Sequence, residues 1–370
     1  MMEGLFDNVY GQIVENKRLR EAGKDIAIPF PFVRFSEEIP GIQKGRYIIT
    51  TANQKVGKTQ FTDFLFLYNP YRFIRETNTN IKVKILYFTL EMGKEDKIKY
   101  ALSHFLFIHK GIRIHPDRMD SVFKRYILED RIVKAIEELK PYLEDFLKHV
   151  IFYDHTKNPY GIYRTVREYA HTNGHYEDKE GITLNTEWIE KGTNEEAKKI
   201  FKYVPNDPDE FVIVITDHVS LLTPENQETS REAMIRFSSD YCLSMRDRWK
   251  YIVVSVQQQT SAQEGVENAQ ANMIRPSSNG LGDNKLSGRD CDLMLGLFAP
   301  YRFRRADWEG YNIKRVKDSY RELSVIANRR GSSVITDLYF DGCVNYFSEL
   351  PKATDMNEQI YKAIENKTYK

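Results

Sequence analysis

The chain has 370 residues, with 54 Lys and Arg almost cancelled by 53 Asp and Glu. A formal net charge of +1 excludes a global basic field that recruits nucleic acid, so any such groove is local or assembled from several subunits. Cys242, Cys291 and Cys343 lie far apart without Cys/His metal spacing, and no apolar stretch reaches membrane-span length, so the expectation is buried thiols in a cytoplasmic chain with no membrane partner.

Residues 3–21 carry Leu5, Phe6, Val9, Tyr10, Ile13, Val14 and Leu19 at helical spacing. Gly23 and the extended run from Ile26 to Phe32 then end that helix. The pattern predicts a helical arm over 1–25 ahead of one large domain over 26–350; packing of the arm on its own core is the equal alternative. The apolar run Tyr47-Ile48-Ile49 predicts a strand, and Phe61 to Phe66 the first turns of a helix. Between them lies Ala52-Asn53-Gln54-Lys55-Val56-Gly57-Lys58-Thr59-Gln60, the strand–loop–helix setting of a P-loop. Its backbone N–H groups and the helix N-terminus can wrap the triphosphate of ATP. Lys58 would reach the β- and γ-phosphates, and the Thr59 hydroxyl would ligate Mg²⁺. Ala52 stands where a glycine usually opens this loop, so the backbone there must lie in a region that a Cβ allows.

Further along, Lys84–Thr89 and Val150–Tyr153 read as strands, and Tyr100–Phe107, residues 130–148 and Tyr160–Ala170 as helices. Residues 171–210 are polar and lack a sustained pattern, which predicts a surface insertion with short helices near Trp188 and Ala197–Phe201. Phe211–Ile215 is uniformly apolar, as in a parallel strand covered on both faces. A helix over Arg231–Arg248 and strands at Tyr251–Val256, Leu293–Leu297, Leu323–Ala327 and Val334–Phe340 follow, with a tail helix within 351–370. Alternating strands and helices that close in strands joined by tight turns predict an α/β fold: a mostly parallel twisted sheet, flanked by helices, with late antiparallel strands.

Asp217 follows the Phe211–Ile215 strand at the carboxyl edge, where a carboxylate suits the coordination shell of Mg²⁺. Glu91 follows the strand that ends at Thr89; the residues leave open whether it handles the attacking water or favours a helix start. Residues 258–288 form a long polar loop containing Gly282, Asp283, Asn284 and Lys285. Taken alone, Arg329-Arg330 reads as a solvated hairpin tip. His149, His155 and His218 have no metal spacing and read as surface or packing residues.

Leu90-Glu91-Met92 followed by Gly93-Lys94-Glu95-Asp96 resembles the motif after the second core strand in DnaB-like replicative helicases, hexameric motors of the RecA-like P-loop NTPase fold. Pro40 to Ile49 looks like that family's approach to its P-loop, and Ser255-Val256-Gln257 like its strand-end glutamine. Arg289 to Met294 is similar to its Asp-x-Asp strand, and Ala327 to Gly331 with Leu338 to Gly342 to its closing hairpin. These matches keep their order from about residue 35 to 350. The resemblance implies that Glu91 is the catalytic glutamate, Asp217 the second acidic residue at magnesium and Gln257 the γ-phosphate sensor. Arg330 would reach a neighbouring subunit's ATP as an arginine finger; Asn328 replaces the family's lysine, which keeps Arg329 as a second candidate. It further implies a hexameric homo-oligomer whose 258–288 loops hold single-stranded DNA through Gly282, Asp283, Asn284 and Lys285, with a primase or loader as partner. Against that family's usual separate N-terminal domain, the reading here expects only the arm over 1–25, an economy that would suit a phage protein working in its host's cytoplasm. Two rivals stay open: a recombinase- or KaiC-like ATPase without unwinding, and a nucleotide-holding scaffold or loader with weak hydrolysis.

Overall fold

Residues 5–178, 180–184, 202–225, 227–260, 274–284 and 286–370 are described by a computed structural model of the chain. The main sheet is built, in chain order, from β1 (Arg46–Ala52), β2 (Lys82–Thr89), β3 (Val150–Tyr153), β4 (Glu210–Asp217), β5 (Ile252–Gln258), β6 (Leu293–Phe298), β7 (Tyr320–Asn328), β8 (Ile335–Asp341) and β9 (Tyr346–Glu349). Their spatial order is β9-β8-β7-β6-β1-β5-β4-β2-β3. From β6 to β3 all pairings are parallel, and β7, β8 and β9 add on antiparallel. The expected mostly parallel sheet with a late antiparallel part is therefore the one observed. β9 is a short strand that the sequence pattern did not reveal.

Beyond their first residue, β1 and β4 are buried throughout, because helices cover both faces of the parallel part. Successive side chains point to opposite faces, so Ile48 joins one apolar core while Tyr47 and Ile49 join the other. The first core lies under the P-loop helix and the helices Lys94–Lys110 and Asp130–His149. The second lies under Pro159–Thr172 and the helical segment from Ser230 to Trp249. Two helices depart from the regular form their sequences suggested. The P-loop helix runs Lys58–Asp63, widens into a π turn over Phe64–Tyr68 and continues over Asn69–Glu76. The predicted Arg231–Arg248 helix likewise contains a π turn, Phe237–Cys242. All five residues of the first π turn are buried, so the helix there is covered on every side and its 3.6-residue stripe is lost.

The polar stretch after Thr172 forms a small antiparallel sheet of Gly174–Glu177, Thr183–Leu184 and Lys202–Pro205, tied to the second core by a hydrogen bond from Trp249 Nε1 to Tyr176 Oη of 2.7 Å. The short helices predicted near Trp188 and Ala197–Phe201 lie outside the described residues. At the amino end, the helix Leu5–Glu21 keeps its apolar face in solvent: Phe6, Tyr10 and Ile13 are 73%, 57% and 61% exposed. The predicted tail helix is Glu358–Glu365, whose Ile364 closes a third apolar cluster with Trp308, Tyr311 and Tyr320. Cys242 and Cys291 are buried free thiols and Cys343 is half-buried. Among the described residues, no helix is long and apolar enough to cross a membrane.

Candidate nucleotide-binding site

Strand register brings the sequence motifs to one edge. Ala52 at the end of β1 pairs with Gln258 of β5, and Thr89 at the end of β2 pairs with Asp217 at the end of β4. The loop after β1, Glu91 after β2, and Asp217 therefore rise from the same carboxyl edge, where open α/β sheets hold ligands. Ala52 remains in the strand and is fully buried; the left-handed backbone falls instead on Lys55 (φ 57°) and Gly57 (φ 96°). The missing opening glycine thus costs this loop nothing. Gly57 is the position that needs one, since a Cβ there would also come within 3.1 Å of Phe340 Cζ.

The helix beginning at Lys58 opens its N-terminus onto a cavity of about 510 Å³, lined by residues that include Asn53, Lys58, Thr59, Glu91, Asp217 and Gln258. Burial lowers the Lys58 ammonium below the usual lysine value, against the opposing pull of Asp217 and Glu91, so a bound phosphate would restore its charge balance. Asn53 is 1% exposed, and neither polar atom of its amide has a partner among the described residues. A buried amide left this way is ready to bond a phosphate oxygen. Thr59 Oγ1 donates to Asp217 Oδ1 at 3.1 Å. This hydroxyl–carboxylate pair is a hard oxygen set with few protein donors, which fits Mg²⁺, a cation that completes its shell with water and phosphate. No cluster of three or more His, Cys, Asp or Glu suited to a metal exists among the described residues.

Glu91 stands at the cavity mouth, 63% exposed, with Oε2 3.6 Å from His218 Nε2, longer than a hydrogen bond. Burial, and then the Lys58 charge, depress the His218 imidazole below its ordinary value, against the opposing pull of Asp217 and Glu91. His218 was expected to be a surface or packing residue; it lines the cavity instead. Gln257 does not line it. Its buried side chain donates to the Leu281 carbonyl at 3.4 Å and accepts from Ser287 Oγ at 3.0 Å, while Gln258 faces the cavity. Neighbouring strand residues point to opposite faces, so a shift of one position exchanges these roles.

Gln259, unmarked by the sequence patterns, joins the loop region to the P-loop edge. Its N–H donates to the Ala52 carbonyl at 3.0 Å, and its amide Nε2 to Thr51 Oγ1 at 3.0 Å and the Ser277 carbonyl at 3.1 Å. Gly282 adopts φ 61° beside Thr260, whose Cγ2 lies 2.2 Å from where a Cβ would stand. Residues 261–273, Lys285 and the side chains of Asp283 and Asn284 lie outside the described residues.

Arg329 and Arg330 are exposed at the far end of β7, where Asn328 pairs with Leu293 at the start of β6. There Arg329 donates its guanidinium to the Arg289 carbonyl, and burial, then the Arg330 charge, hold the pKa of Arg46 at the start of β1 below the usual arginine value. At about 3.3 Å per residue, the seven residues of β1 set these arginines roughly 20 Å from their own P-loop. They do not reach the cavity of their own chain.

The opposite end of β7 braces that cavity. Arg321 is 1% exposed; its Nε donates to the Val56 carbonyl at 2.7 Å and its guanidinium lies 4.4 Å from the Phe340 ring centre. Burial pushes the Arg321 guanidinium down to about 10, still charged at neutral pH. Arg321→Lys keeps the charge but cannot reproduce the planar fork that bonds carbonyls while stacking on a ring. Urea unfolding should show a loss of about 1–3 kcal/mol, the cost of a buried carbonyl left without its donor; unchanged stability would remove Arg321 as a brace.

Sheet order, loop conformation and the acidic edge together define a RecA-like P-loop NTPase fold. No family model and no curated protein matches the sequence. Among solved structures, the ATPase domain of G40P is similar over 94% of this chain and 100% of its own, with a TM-score of 0.65 and 16% identity. A DnaB-like replicative helicase, described with its interactions with primase, is similar over 95% of this chain and 69% of its own, with a TM-score of 0.64 and 15% identity. At these identities the likeness is one of fold, and the fold is that of the DnaB-like helicase ATPase domain.

Proposed function

We propose that the chain is an ATP-dependent, ring-forming DNA helicase that translocates on single-stranded DNA during replication. The observation that carries this reading is the split of the charged groups across the sheet. A phosphate grip, an oxygen pair fit for Mg²⁺ and a carboxylate at the mouth share one cavity, while two arginines project from the opposite edge. In this reading Lys58, Asn53 and the loop N–H groups hold the phosphates, and Thr59 and Asp217 hold the cation. Bound Mg²⁺ would neutralise charge on the β- and γ-phosphates. Glu91 aligns the attacking water and takes its proton, and Gln258, in the cavity where Gln257 is not, senses the γ-phosphate.

The helicase neighbour's described interaction with primase motivates a primase or loader as partner. Six copies of the loop over 258–288 would supply the DNA track that one nearly neutral chain lacks. ATP hydrolysis and strand separation, measured with and without single-stranded DNA, test the proposal. Hydrolysis stimulated by DNA without strand separation would instead support a recombinase- or KaiC-like ATPase, and binding without turnover a scaffold.

The exposed apolar face of the Leu5–Glu21 helix supports a ring in which that helix docks on the adjacent subunit. Deleting residues 1–22 should convert rings to monomers in mass photometry. Unchanged oligomers would detach the arm from assembly.

A further inference from the structure

Two charges occupy positions where the sequence pattern calls for apolar side chains. Asp63 interrupts the buried run around Phe61 and Phe64, and Lys97 sits one turn ahead of Ala101 on the buried face of its helix; they are 2% and 1% exposed. They meet at the inner wall of the cavity, whose lining includes both. Lys97 Nζ donates to the two Asp63 carboxylate oxygens at 3.1 and 3.2 Å and to Tyr87 Oη at 2.6 Å, and lies 3.4 Å from Asp217 Oδ2. Tyr87 Oη is in turn 2.8 Å from Asp63 Oδ1 and 3.1 Å from Asp217 Oδ2.

This divides the two oxygens of Asp217. Oδ2 is held by Tyr87 and Lys97, and Oδ1 is left facing Thr59 Oγ1. A carboxylate without such partners turns freely and presents either oxygen; groups that orient a metal ligand this way govern metal affinity. A buried ion pair that only filled the core would be replaceable by apolar side chains at little cost. Within this cluster two buried carboxylates share one ammonium, and Asp217 turns its other oxygen to Thr59, where a divalent cation would join Lys58 in balancing it.

We propose that Lys97, itself fixed by Asp63 and Tyr87, is a positioning residue that aims the Asp217 carboxylate at the divalent cation shared with Thr59. The inference rests on the magnesium part of the function proposed above. The probe is a fluorescent ATP analogue, whose binding is titrated with Mg²⁺ in wild type, in the double variant Asp63→Leu/Lys97→Leu, and in Tyr87→Phe. The double variant removes Asp63 and Lys97 together, so neither is left buried without the other, while Asp217 keeps Tyr87 and Thr59.

Both variants should need more Mg²⁺ to reach half-maximal nucleotide binding, about 10-fold for the double variant and less for Tyr87→Phe, with wild-type affinity regained at saturating Mg²⁺. A purely structural pair would lower the binding plateau without moving the Mg²⁺ midpoint, and that result overturns the proposal. If the double variant fails to fold, as thermal melting would reveal, the midpoint of Tyr87→Phe decides alone. Wild-type nucleotide binding that ignores Mg²⁺ would remove the magnesium reading of Thr59 and Asp217, and this inference with it. An unmoved midpoint in a Mg²⁺-responsive protein removes only the role of Lys97.

Discussion

Lys58→Ala is expected to abolish ATP turnover, and Glu91→Gln to stop hydrolysis while nucleotide stays bound. The two residues share a cavity but not a task. Lys58 rises from the first turn of the P-loop helix and is partly desolvated, so it offers a positive charge that water does not screen. Removing it takes away the grip on the phosphates and the stabilisation of charge that develops on them. Glu91 stands at the mouth, where an attacking water would lie, and its amide analogue keeps the shape but accepts no proton. A positioned base contributes about 10²–10⁴-fold, which sets the expected loss for Glu91→Gln. Steady-state hydrolysis and binding of a fluorescent ATP analogue, measured on the same preparations, separate the two effects. Wild-type turnover in Glu91→Gln would cancel its catalytic assignment. If His218→Ala were then the inactive variant, the base would be the imidazole beside Glu91.

The second large effect belongs to Arg330. Its position at the edge of the sheet opposite the P-loop means that any action on ATP must cross to a neighbouring subunit. Arg330→Ala should therefore cut hydrolysis by roughly 10³-fold while sparing nucleotide binding, the loss typical of arginine fingers. Because the action is in trans, Arg330→Ala mixed with Lys58→Ala should regain ATPase that neither has alone. The competent interface joins the intact P-loop of one variant to the intact arginine of the other. Normal DNA-stimulated turnover in Arg330→Ala would refute the finger. If Arg329→Ala alone were inactive, the role would move one residue along the hairpin. Arg329 is the more tethered of the two, with its backbone N–H on the Asp292 carbonyl and its guanidinium on that of Arg289, whereas the Arg330 backbone is held by Asn328 Oδ1.

How much of this was legible in the residues depends on the range of the interaction concerned. The P-loop, the parallel core strands and their order along the chain could be read directly, because each rests on a local pattern. A strand buried on both faces must be apolar throughout, as Phe211–Ile215 is, and a phosphate loop must place Gly, Lys and Thr between strand and helix. The placement of Asp217 and Glu91 at this edge was legible for the same reason, since each follows a recognisable strand. Lys97, Asp63 and Arg321 were not assigned a role, and His218 was read as a surface or packing residue. Their partners are distant in the chain: Lys97 bonds residues 34 and 120 positions away, and Arg321 one 265 positions away. The one local sign was the conflict itself, a charge set into an apolar helix face at Asp63 and again at Lys97.

Other features were decided by the tertiary structure alone. Which of three consecutive glutamines faces the cavity follows from the register of β5 against β1, and a one-residue difference turns Gln257 inward and Gln258 outward. Whether Ala52 harms the loop depends on where the left-handed backbone falls, which is at Lys55 and Gly57. The far placement of Arg329 and Arg330 comes from β7 running antiparallel to β6, a property of strand pairing that no short motif encodes. Sequence by itself determined the main strands and helices and the chemistry each could carry. The packing of β7, β5 and the Lys94–Lys110 helix around β1 determined which of those groups meet.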